Sequence, residues 1–289
     1  MNNVSRKISD YFSLVKFSHT VFALPFALTG FALGITTGGH HFSLKLLVLI
    51  LLCMVFARNS AMGFNRFADR KFDALNPRTA GREIPSGRIK MKAAGIFVIL
   101  NSALFIVATG FINGLTLILS PIALLVILGY SLTKRITYLC HFILGLGLSL
   151  APIGAYISVT GQFNIVPVIY SVIVITWVSG FDIIYALQDD EFDRDNDLHS
   201  IPSSTGRKGA IIISGAVHLI TFLLVVAAGI LHANGYLYWT GAAIFTILLV
   251  YQHIIVRSDD ISRVNLAFAT TNGIASILYA LFAISDLLH

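Results

Sequence analysis

Residues 65–73 read NRFADRKFD, with polar groups at every fourth position: Asn65, Asp69 and Asp73. A second stretch, DDEFDRDND at residues 189–197, repeats this spacing with Asp189, Asp193 and Asp197. Four residues turn a helix by about 400°, so each trio is expected to form one drifting stripe on a helix. Facing stripes would repel each other unless cations lay between them, and clusters of oxygen ligands suit Mg²⁺. All six side chains are therefore candidate metal ligands.

The sequence around these stretches has the composition of a membrane protein. Of its 289 residues, 56% are hydrophobic and 12% are charged, whereas soluble domains average about 25% charged residues. Cys53 and Cys140 lie in or beside apolar runs at no disulfide- or metal-like spacing, and we interpret them as core residues. No low-complexity or Pro/Gly-rich linker divides the chain, so a single domain over residues 1–289 is expected.

Nine apolar runs of about 20 residues predict an all-α integral membrane protein with nine transmembrane helices. They lie near Phe17–Thr37, Leu44–Phe64, Met91–Gly110, Leu115–Leu132, Tyr138–Thr160, Ile165–Leu187, Ala210–Leu231, Leu237–Val256 and Ile261–Leu287. The first run follows a charged start, as a signal peptide would. It is long enough to span a bilayer, lacks a convincing small-residue cleavage site and precedes similar runs, so we interpret it as the first transmembrane helix.

Basic residues occur at alternate ends of these predicted helices. One set of ends contains Lys and Arg, whereas the connections of the other set are short and contain neither. The positive-inside rule then places the N-terminus in the cytoplasm and the C-terminus outside. The two acidic stretches follow the second and sixth helices, which both run inward, so both stretches are expected at the cytoplasmic face.

Three explanations account for acidic stretches at a membrane face. A solvated acidic loop explains the second stretch but not its match to the first. Asp193, Asp195 and Asp197 begin as an EF-hand calcium loop does, but Leu198 and Ser204 stand where that loop has Gly and Glu. The third explanation is a site where Mg²⁺ neutralises the phosphates of a diphosphate substrate.

Basic residues beside these acids favour the diphosphate site, because cations stabilise the charge that grows on a departing diphosphate. They are Arg66, Arg70, Lys71, Arg78, Arg82, Lys134 and Arg135. Interfacial anchoring also accounts for such cations, but Lys134 is the better candidate because Tyr130 precedes it by one turn on the same face. The alternative to a diphosphate-binding enzyme is a cation transporter. It should carry ionisable residues through the membrane midplane, and these basic residues would repel its ion.

Two charged residues lie inside the predicted spans, where ionisable groups are costly. Asp182 precedes Asp189 by seven residues and Arg58 precedes Asn65 by the same interval, so each extends one stripe into the membrane. Arg58 either pairs with Asp182 or holds the carboxylate of an acidic aromatic substrate, and we favour the second role. The nine His residues show no paired spacing and offer no candidate.

These motifs resemble those of the UbiA superfamily of intramembrane prenyltransferases. Asn65-xxx-Asp69-xxx-Asp73 resembles the NxxxDxxxD signature of that family, and residues 182–193 resemble its DxxYAxxDxxxD pattern. Tyr130-xxx-Lys134-Arg135 matches the YxxxKR segment. Residues 78–87 are similar to the RTxxRPxPSG segment, with Glu83 where Pro is more usual.

The resemblance implies nine helices around a central cavity, with a cytoplasmic cap. It implies two Mg²⁺ ions on a polyprenyl diphosphate, held by Asn65, Asp69, Asp73, Asp189 and Asp193. Tyr130, Lys134 and Arg70 would help hold or release the diphosphate, and Asp182 would orient the acceptor or take the ring proton. The candidate substrate-binding residues are Arg58, Arg66, Arg70, Arg78, Arg82, Lys134 and Tyr185.

The acceptor is expected to be an aromatic acid of the 4-hydroxybenzoate type, because Arg58 lies where the aromatic-acid branch of the family has an arginine. The alternative is 1,4-dihydroxy-6-naphthoate, which serves menaquinone synthesis. Both acceptors imply quinone biosynthesis in a bacterial inner membrane. The expected partners are the polyprenyl diphosphate, the aromatic acid and membrane lipid; neither nucleic acid nor a protein partner is expected.

Overall fold

The computed structural model of the chain describes residues 3–15, 22–232 and 235–289, which form helices and no β-strand. In chain order, the α-helices are α1 (Asn3–Leu14), α2 (Leu24–Gly38), α3 (Leu44–Leu75), α4 (Met91–Gly110), α5 (Gly114–Thr133), α6 (Cys140–Thr160), α7 (Ile165–Ala186), α8 (Asp190–Asp195), α9 (Ile201–Leu231), α10 (Tyr236–Ile255) and α11 (Asn272–Leu287). A 3₁₀ turn, Leu187–Asp189, joins α7 to α8, and a π-helical segment, Leu266–Thr271, precedes α11.

Apolar helices occur in the order that the sequence predicts. Eight helical stretches of the described chain are long and apolar enough to cross a membrane, and α2 is a shorter apolar helix of 15 residues. The prediction of an all-α, multi-pass membrane protein is therefore confirmed. The predicted first span, Phe17–Thr37, lies partly outside the described residues; its described part contains α2, which begins beside Pro25.

The chain packs as two compact units. The first unit comprises Met1–Thr20 and Val48–Leu132, and the second comprises Val21–Leu47 and Thr133–His289. The single domain over residues 1–289 stays a prediction.

In the first unit, α3 and α4 are joined by polar contacts as well as by packing. Asn59 donates to Asn101 over 3.0 Å, and Ser102 donates to Ser60 over 3.1 Å. Such interhelical hydrogen bonds stabilise helix pairs in lipid, where the surrounding tails are as apolar as the helix surfaces. Cys53 is buried in an apolar cluster beside these contacts, which agrees with its interpretation as a core residue.

The third helix is longer than its apolar run. The sequence predicts a span ending near Phe64, but α3 continues to Leu75 and ends only at Asn76 and Pro77. A residue that precedes Pro is disfavoured in helical geometry, and this explains where the helix stops. The whole NRFADRKFD stretch is therefore helical, as its spacing predicts.

In the second unit, Trp177 on α7 lies in the apolar core. Its ring centroid is 5.2 Å from that of Phe26 on α2 and 5.9 Å from that of Phe245 on α10. Its indole nitrogen donates to the side-chain oxygen of Asn272 on α11 over 3.0 Å. Trp177 therefore joins four helices of this unit through both packing and a buried hydrogen bond.

Two helices of the second unit depart from the predicted boundaries. The predicted span Ala210–Leu231 belongs to a helix that starts at Ile201, where Ser200 caps the N-terminus, but Gly206 breaks it with φ 71° and ψ 172°. A positive φ of this kind strains any residue with a Cβ atom, so glycine suits this position. The predicted last span, Ile261–Leu287, has the π-helical turn before α11.

Candidate active-site residues

On α3 of the first unit, the NRFADRKFD trio supplies three oxygen-bearing side chains, two of which are hydrogen-bonded to each other. The amide nitrogen of Asn65 donates to Oδ2 of Asp69 over 2.9 Å. Oδ1 of Asp73 accepts a charged hydrogen bond from Arg82 over 2.6 Å. Oδ2 of Asp73 is buried and accepts no hydrogen bond from any described residue. A buried carboxylate oxygen without a donor is costly, and a cation would relieve that cost.

These groups have the chemistry that Mg²⁺ requires, because they are hard oxygen donors and one of them is buried without a partner. In neither unit do three His, Cys, Asp or Glu side chains of the described residues lie together closely enough to hold a metal ion by themselves. Asn65 adds an amide oxygen to the first set, and Mg²⁺ characteristically completes its shell with water and substrate phosphate. The residues of the first motif therefore fit the ion.

The basic residues near this motif differ in their surroundings. Arg66 is only 5% exposed; it donates to Oδ1 of Asn65 over 3.3 Å, and its Nε has no hydrogen-bond partner among the described residues. Arg70 donates to the carbonyl of Phe67 over 2.8 Å and lies over that ring. Arg78 is exposed beyond the helix. Of these three, Arg66 has the strongest requirement for an anion.

Arg58 and Tyr130 also belong to the first unit, on α3 and α5. They are half-buried, and an electrostatic interaction links them. The guanidinium of Arg58 thus has a phenol beside it within the membrane-spanning part of the chain. The pairing of Arg58 with an acceptor carboxylate stays a prediction.

The second motif, in the second unit, does not form the helical stripe that its spacing predicts. The helix α7 ends at Ala186, a 3₁₀ turn covers Leu187–Asp189, and α8 ends at Asp195. Asp197 lies beyond α8, is exposed, and has a left-handed backbone with φ 54°. Because the helix is interrupted on both sides of α8, the prediction that Asp189, Asp193 and Asp197 share one helical face is wrong.

Asp193 is the most enclosed acid of this motif. Its carboxylate lies 2.7 Å from Nζ of Lys134 and accepts a hydrogen bond from the hydroxyl of Ser200 over 2.9 Å. The carbonyl of Lys134 accepts a hydrogen bond from the backbone N–H of His199 over 2.6 Å, which fixes the connection that carries the lysine. Lys134 lies in the turn directly after α5, which ends at Thr133, and the face that it was expected to share with Tyr130 stays a prediction.

Charge keeps Lys134 protonated. Burial alone would lower the pKa of Lys134, but its ion pair with Asp193 and the nearby charge of Asp189 raise the pKa above its ordinary value of 10.5. The ammonium is still about one-third exposed, at 34% of the side chain. Lys134 is therefore a permanent cation that remains accessible from one side.

Asp182 on α7 has a partner that sequence reasoning missed. Its Oδ2 lies 2.7 Å from Nδ1 of His141, on the first turn of α6. The spacing of His residues gave no sign of this contact, because the two side chains are 41 residues apart and meet only where α6 packs against α7. Tyr185, one turn further along α7, packs its ring 4.1 Å from that of Phe268.

Comparisons with known proteins agree with these motifs. The model of the UbiA prenyltransferase family matches residues 23–277. The 4-hydroxybenzoate octaprenyltransferase of Aliivibrio salmonicida (strain LFI1238) is 33% identical over 247 residues, covering 84% of this chain and 85% of the relative. The protein of that name from Photobacterium profundum is 29% identical over 248 residues, covering 86% of each chain.

Solved structures share the fold. The apo structure of a UbiA homolog from Aeropyrum pernix K1 has a TM-score of 0.80 and 28% identity, covering 93% of this chain and 97% of the other. A UbiA homolog from Archaeoglobus fulgidus bound to DMAPP and Mg²⁺ has a TM-score of 0.75 and 22% identity, covering 96% and 99%. Because the family model, a relative above 30% identity and the fold all agree with the aspartate motifs, this chain belongs to the UbiA prenyltransferase family of membrane enzymes.

Proposed function

We propose that the protein transfers a polyprenyl group from polyprenyl diphosphate to a ring carbon of 4-hydroxybenzoate, in a Mg²⁺-dependent step of quinone biosynthesis. The observation that carries this proposal is the 33% identity, over most of both chains, with a 4-hydroxybenzoate octaprenyltransferase. The Archaeoglobus fulgidus homolog bound to DMAPP and Mg²⁺ supports a prenyl diphosphate as donor and Mg²⁺ as its ion.

The residues that would bind Mg²⁺ are Asn65, Asp69 and Asp73 of the first motif and Asp189 and Asp193 of the second motif, and the expected number of ions is two. The unpartnered buried oxygen of Asp73 supports this assignment. Asp197 is left out, because it is exposed beyond the end of α8. When bound, Mg²⁺ neutralises negative charge on the diphosphate and so favours its departure.

The chemistry begins with cleavage of the bond between the allylic carbon and the diphosphate oxygen, which leaves with the electron pair. Lys134 and Arg66 would bind the negative charge that develops on the leaving group, and Tyr130 would donate a hydrogen bond to it. A ring carbon beside the phenol of the acceptor then donates an electron pair to the allylic cation, forming the carbon–carbon bond. The carboxylate of Asp182 takes the proton from that ring carbon, which restores the aromatic ring.

Arg58 would hold the aromatic acid in place by binding the carboxylate of that acid. A guanidinium binds a carboxylate through two parallel hydrogen bonds, which fixes direction as well as position. An arginine inside the membrane-spanning part of a helix is costly unless it serves such a partner. This role explains why the acceptor would be an acid.

The membrane placement follows from the distribution of basic residues. We place the protein in the bacterial cytoplasmic membrane with its N-terminus in the cytoplasm and its C-terminus outside, because Lys and Arg collect at alternate connections. Both aspartate motifs would then lie at the cytoplasmic face.

The test is prenyl transfer by the purified protein in detergent, with Mg²⁺, a radiolabelled polyprenyl diphosphate and one of two acids. The acids are 4-hydroxybenzoate and 1,4-dihydroxy-6-naphthoate. Asp69→Asn and Asp189→Asn should abolish transfer. The matched control is Asp195→Asn, which neutralises an exposed acid of the second stretch and should leave transfer unchanged.

Label on 4-hydroxybenzoate, lost on chelation of Mg²⁺ and in both motif variants, is the expected result. Label on the naphthoate alone would show that the acceptor is the naphthoate and not 4-hydroxybenzoate, while the proposed reaction would stand. An absence of transfer to both acids, together with an absence of Mg²⁺-dependent diphosphate binding, would overturn the proposal.

A further inference from the structure

His141 joins three helices of the second unit. Its side chain is 2% exposed and lies on the first turn of α6. On one side, Nδ1 lies 2.7 Å from Oδ2 of Asp182 on α7. On the other side, Nε2 accepts a hydrogen bond from the backbone N–H of Ile201, the first residue of α9, over 3.3 Å.

The contact with Ile201 fixes which ring nitrogen carries the proton. A backbone amide only donates, so Nε2 must present its lone pair. The neutral imidazole then carries its hydrogen on Nδ1, and that hydrogen points to the carboxylate of Asp182. The direction of the second hydrogen bond therefore follows from the first: His141 donates and Asp182 accepts.

The carboxylate of Asp182 is held at one oxygen only. Its side chain is 20% exposed, and among the described residues its only hydrogen-bond or ion-pair contact is with His141. One oxygen is thus bound to a buried ring while the other stays accessible. A base that is oriented from behind by a buried donor has this arrangement, because the hydrogen bond restricts its rotation and leaves its reactive oxygen exposed.

The helices that carry this pair are packed closely against each other beside His141. The hydroxyl of Ser179 on α7 lies 2.6 Å from the carbonyl oxygen of Ile175 and 3.2 Å from that of His141, so it lies between the two helices. One turn along α6, a Cβ atom on Gly145 would lie 2.5 Å from the carbonyl oxygen of Ile175. The backbones of α6 and α7 thus approach each other too closely at Gly145 to admit a Cβ atom, and this close packing fixes the spacing of the helices that carry His141 and Asp182.

We propose that His141 is a positioning residue, whose Nδ1–H orients the Asp182 carboxylate to take the ring proton of the aromatic acceptor. This inference rests on the proposed function, in which Asp182 accepts the proton from the ring carbon. It adds a residue from outside the aspartate motifs, and it assigns separate tasks to the two ring nitrogens: Nδ1 serves the reaction and Nε2 serves the start of α9.

The test compares His141→Asn with His141→Leu. The amide nitrogen of Asn is as many bonds from Cβ as Nδ1 of His, so Asn retains a donor for Asp182, whereas Leu has none. Both variants lose the acceptor for the N–H of Ile201, so a purely structural effect should be shared. The wild-type protein and both variants are assayed for kcat and for the KM of each substrate.

In His141→Leu, kcat should fall by about 10- to 100-fold, the scale of a lost hydrogen bond to a charged group, with an unchanged KM for the polyprenyl diphosphate. His141→Asn should regain most of that loss. Equal kcat values in the two variants would overturn the proposal. So would a KM for the polyprenyl diphosphate that rises in parallel with the loss of kcat.

A second measurement needs no turnover and separates this inference from the proposed function. In protein carrying ¹⁵N-labelled histidine, the imidazole signal that disappears in His141→Asn should be that of a neutral ring protonated at Nδ1. A ring protonated at Nε2 would overturn the inference even in an active enzyme. Failure of the wild-type protein both to prenylate either acid and to bind the diphosphate with Mg²⁺ would instead overturn the proposed function, whatever the state of this ring.

Discussion

The ammonium group of Lys134 lies 2.7 Å from Oδ1 of Asp193, a carboxylate that also accepts a hydrogen bond from Ser200. The pair joins the connection after α5 to the buried face of α8. Lys134 thus has two roles: it neutralises a buried acid, and it presents a cation beside the second aspartate motif.

Lys134→Gln should lower kcat by about 100-fold, the scale of removing one donor that stabilises a developing anion. Lys134→Arg keeps the charge and should lose less. The measurement is single-turnover release of diphosphate from the labelled donor. Equal rates in the Gln variant and the wild type would exclude a role for this ammonium in diphosphate departure.

Because the pKa of Lys134 is raised in the folded protein, the stability that this residue contributes should be lost only at high pH. Asp193 and Asp189 raise the pKa of Lys134 above 10.5, against the effect of burial. Such a group contributes stability that is fully present below the unfolded pKa and is lost as pH rises through the folded pKa. Thermal melting in detergent should therefore show no Lys134-linked loss between about pH 7 and pH 9.5. A wild-type decline in this window that is absent from Lys134→Gln would contradict the prediction.

Arg207 on α9 should stabilise α8 through one acid and not through its neighbour. Its Nε and Nη2 donate to both oxygens of the buried Asp190 over 2.9 and 3.0 Å, whereas Glu191 is 80% exposed. Arg207→Ala should lower the free energy of unfolding by about 1–2 kcal/mol, because it leaves Asp190 buried without its partner while solvent screens part of the interaction.

Glu191→Ala is the matched control for Arg207→Ala, because it removes the exposed partner of the same arginine. It should change the free energy of unfolding by less than about 0.5 kcal/mol. Denaturant titration of the detergent-solubilised protein measures both changes. Equal losses in the two variants would show that burial of Asp190 does not determine the strength of the contact.

Glu83 occupies a position where the UbiA family more often has Pro. Its contacts in the first unit explain why this chain has an acid there. Its carboxylate accepts a hydrogen bond from Ser13 of α1 over 2.5 Å, and Arg88 lies near both Glu83 and Asp10. The acid thus ties α1 to the connection after α3. Proline can make neither contact.

Glu83→Pro should therefore speed amide hydrogen exchange in α1 by about tenfold, since local opening follows the loss of such contacts. Glu83→Gln keeps an oxygen acceptor for Ser13 and should exchange at nearly the wild-type rate. Unchanged exchange in Glu83→Pro would mean that the apolar contacts of Leu14 and Ile89 alone hold this helix.

The sequence predicts the helices well and the tertiary pairs poorly, for physical reasons. Apolar runs of bilayer length must be helical, because lipid offers no partner for backbone groups. The four-residue spacing of Asn65, Asp69 and Asp73 likewise holds, since these residues lie within the unbroken helix α3, which ends before Pro77. The same spacing fails in the second motif, where Asp197 takes a left-handed conformation beyond α8.

Contacts between distant residues have no local signal. His141 meets Asp182 only because α6 packs against α7, and Glu83 meets Ser13 only because the connection after α3 folds back over α1. An intramembrane Asp does predict that some partner exists, since an unpaired carboxylate there is costly. The partner of Asp182 is a buried His on the first turn of the neighbouring helix α6, and neither its type nor its position follows from the local sequence.

Gly145→Ala should damage both stability and turnover, because α6 and α7 touch through backbone at this residue. The added Cβ would lie 2.5 Å from the carbonyl oxygen of Ile175, so the helices must separate, at a cost of about 1–3 kcal/mol. Separation would also move His141 away from Asp182 and lower kcat. Gly147→Ala should do neither, because on the same helix its added Cβ would meet no described residue within 4 Å outside the local helix backbone. Equal melting temperatures and equal kcat values for the two variants would refute this account of the α6–α7 interface.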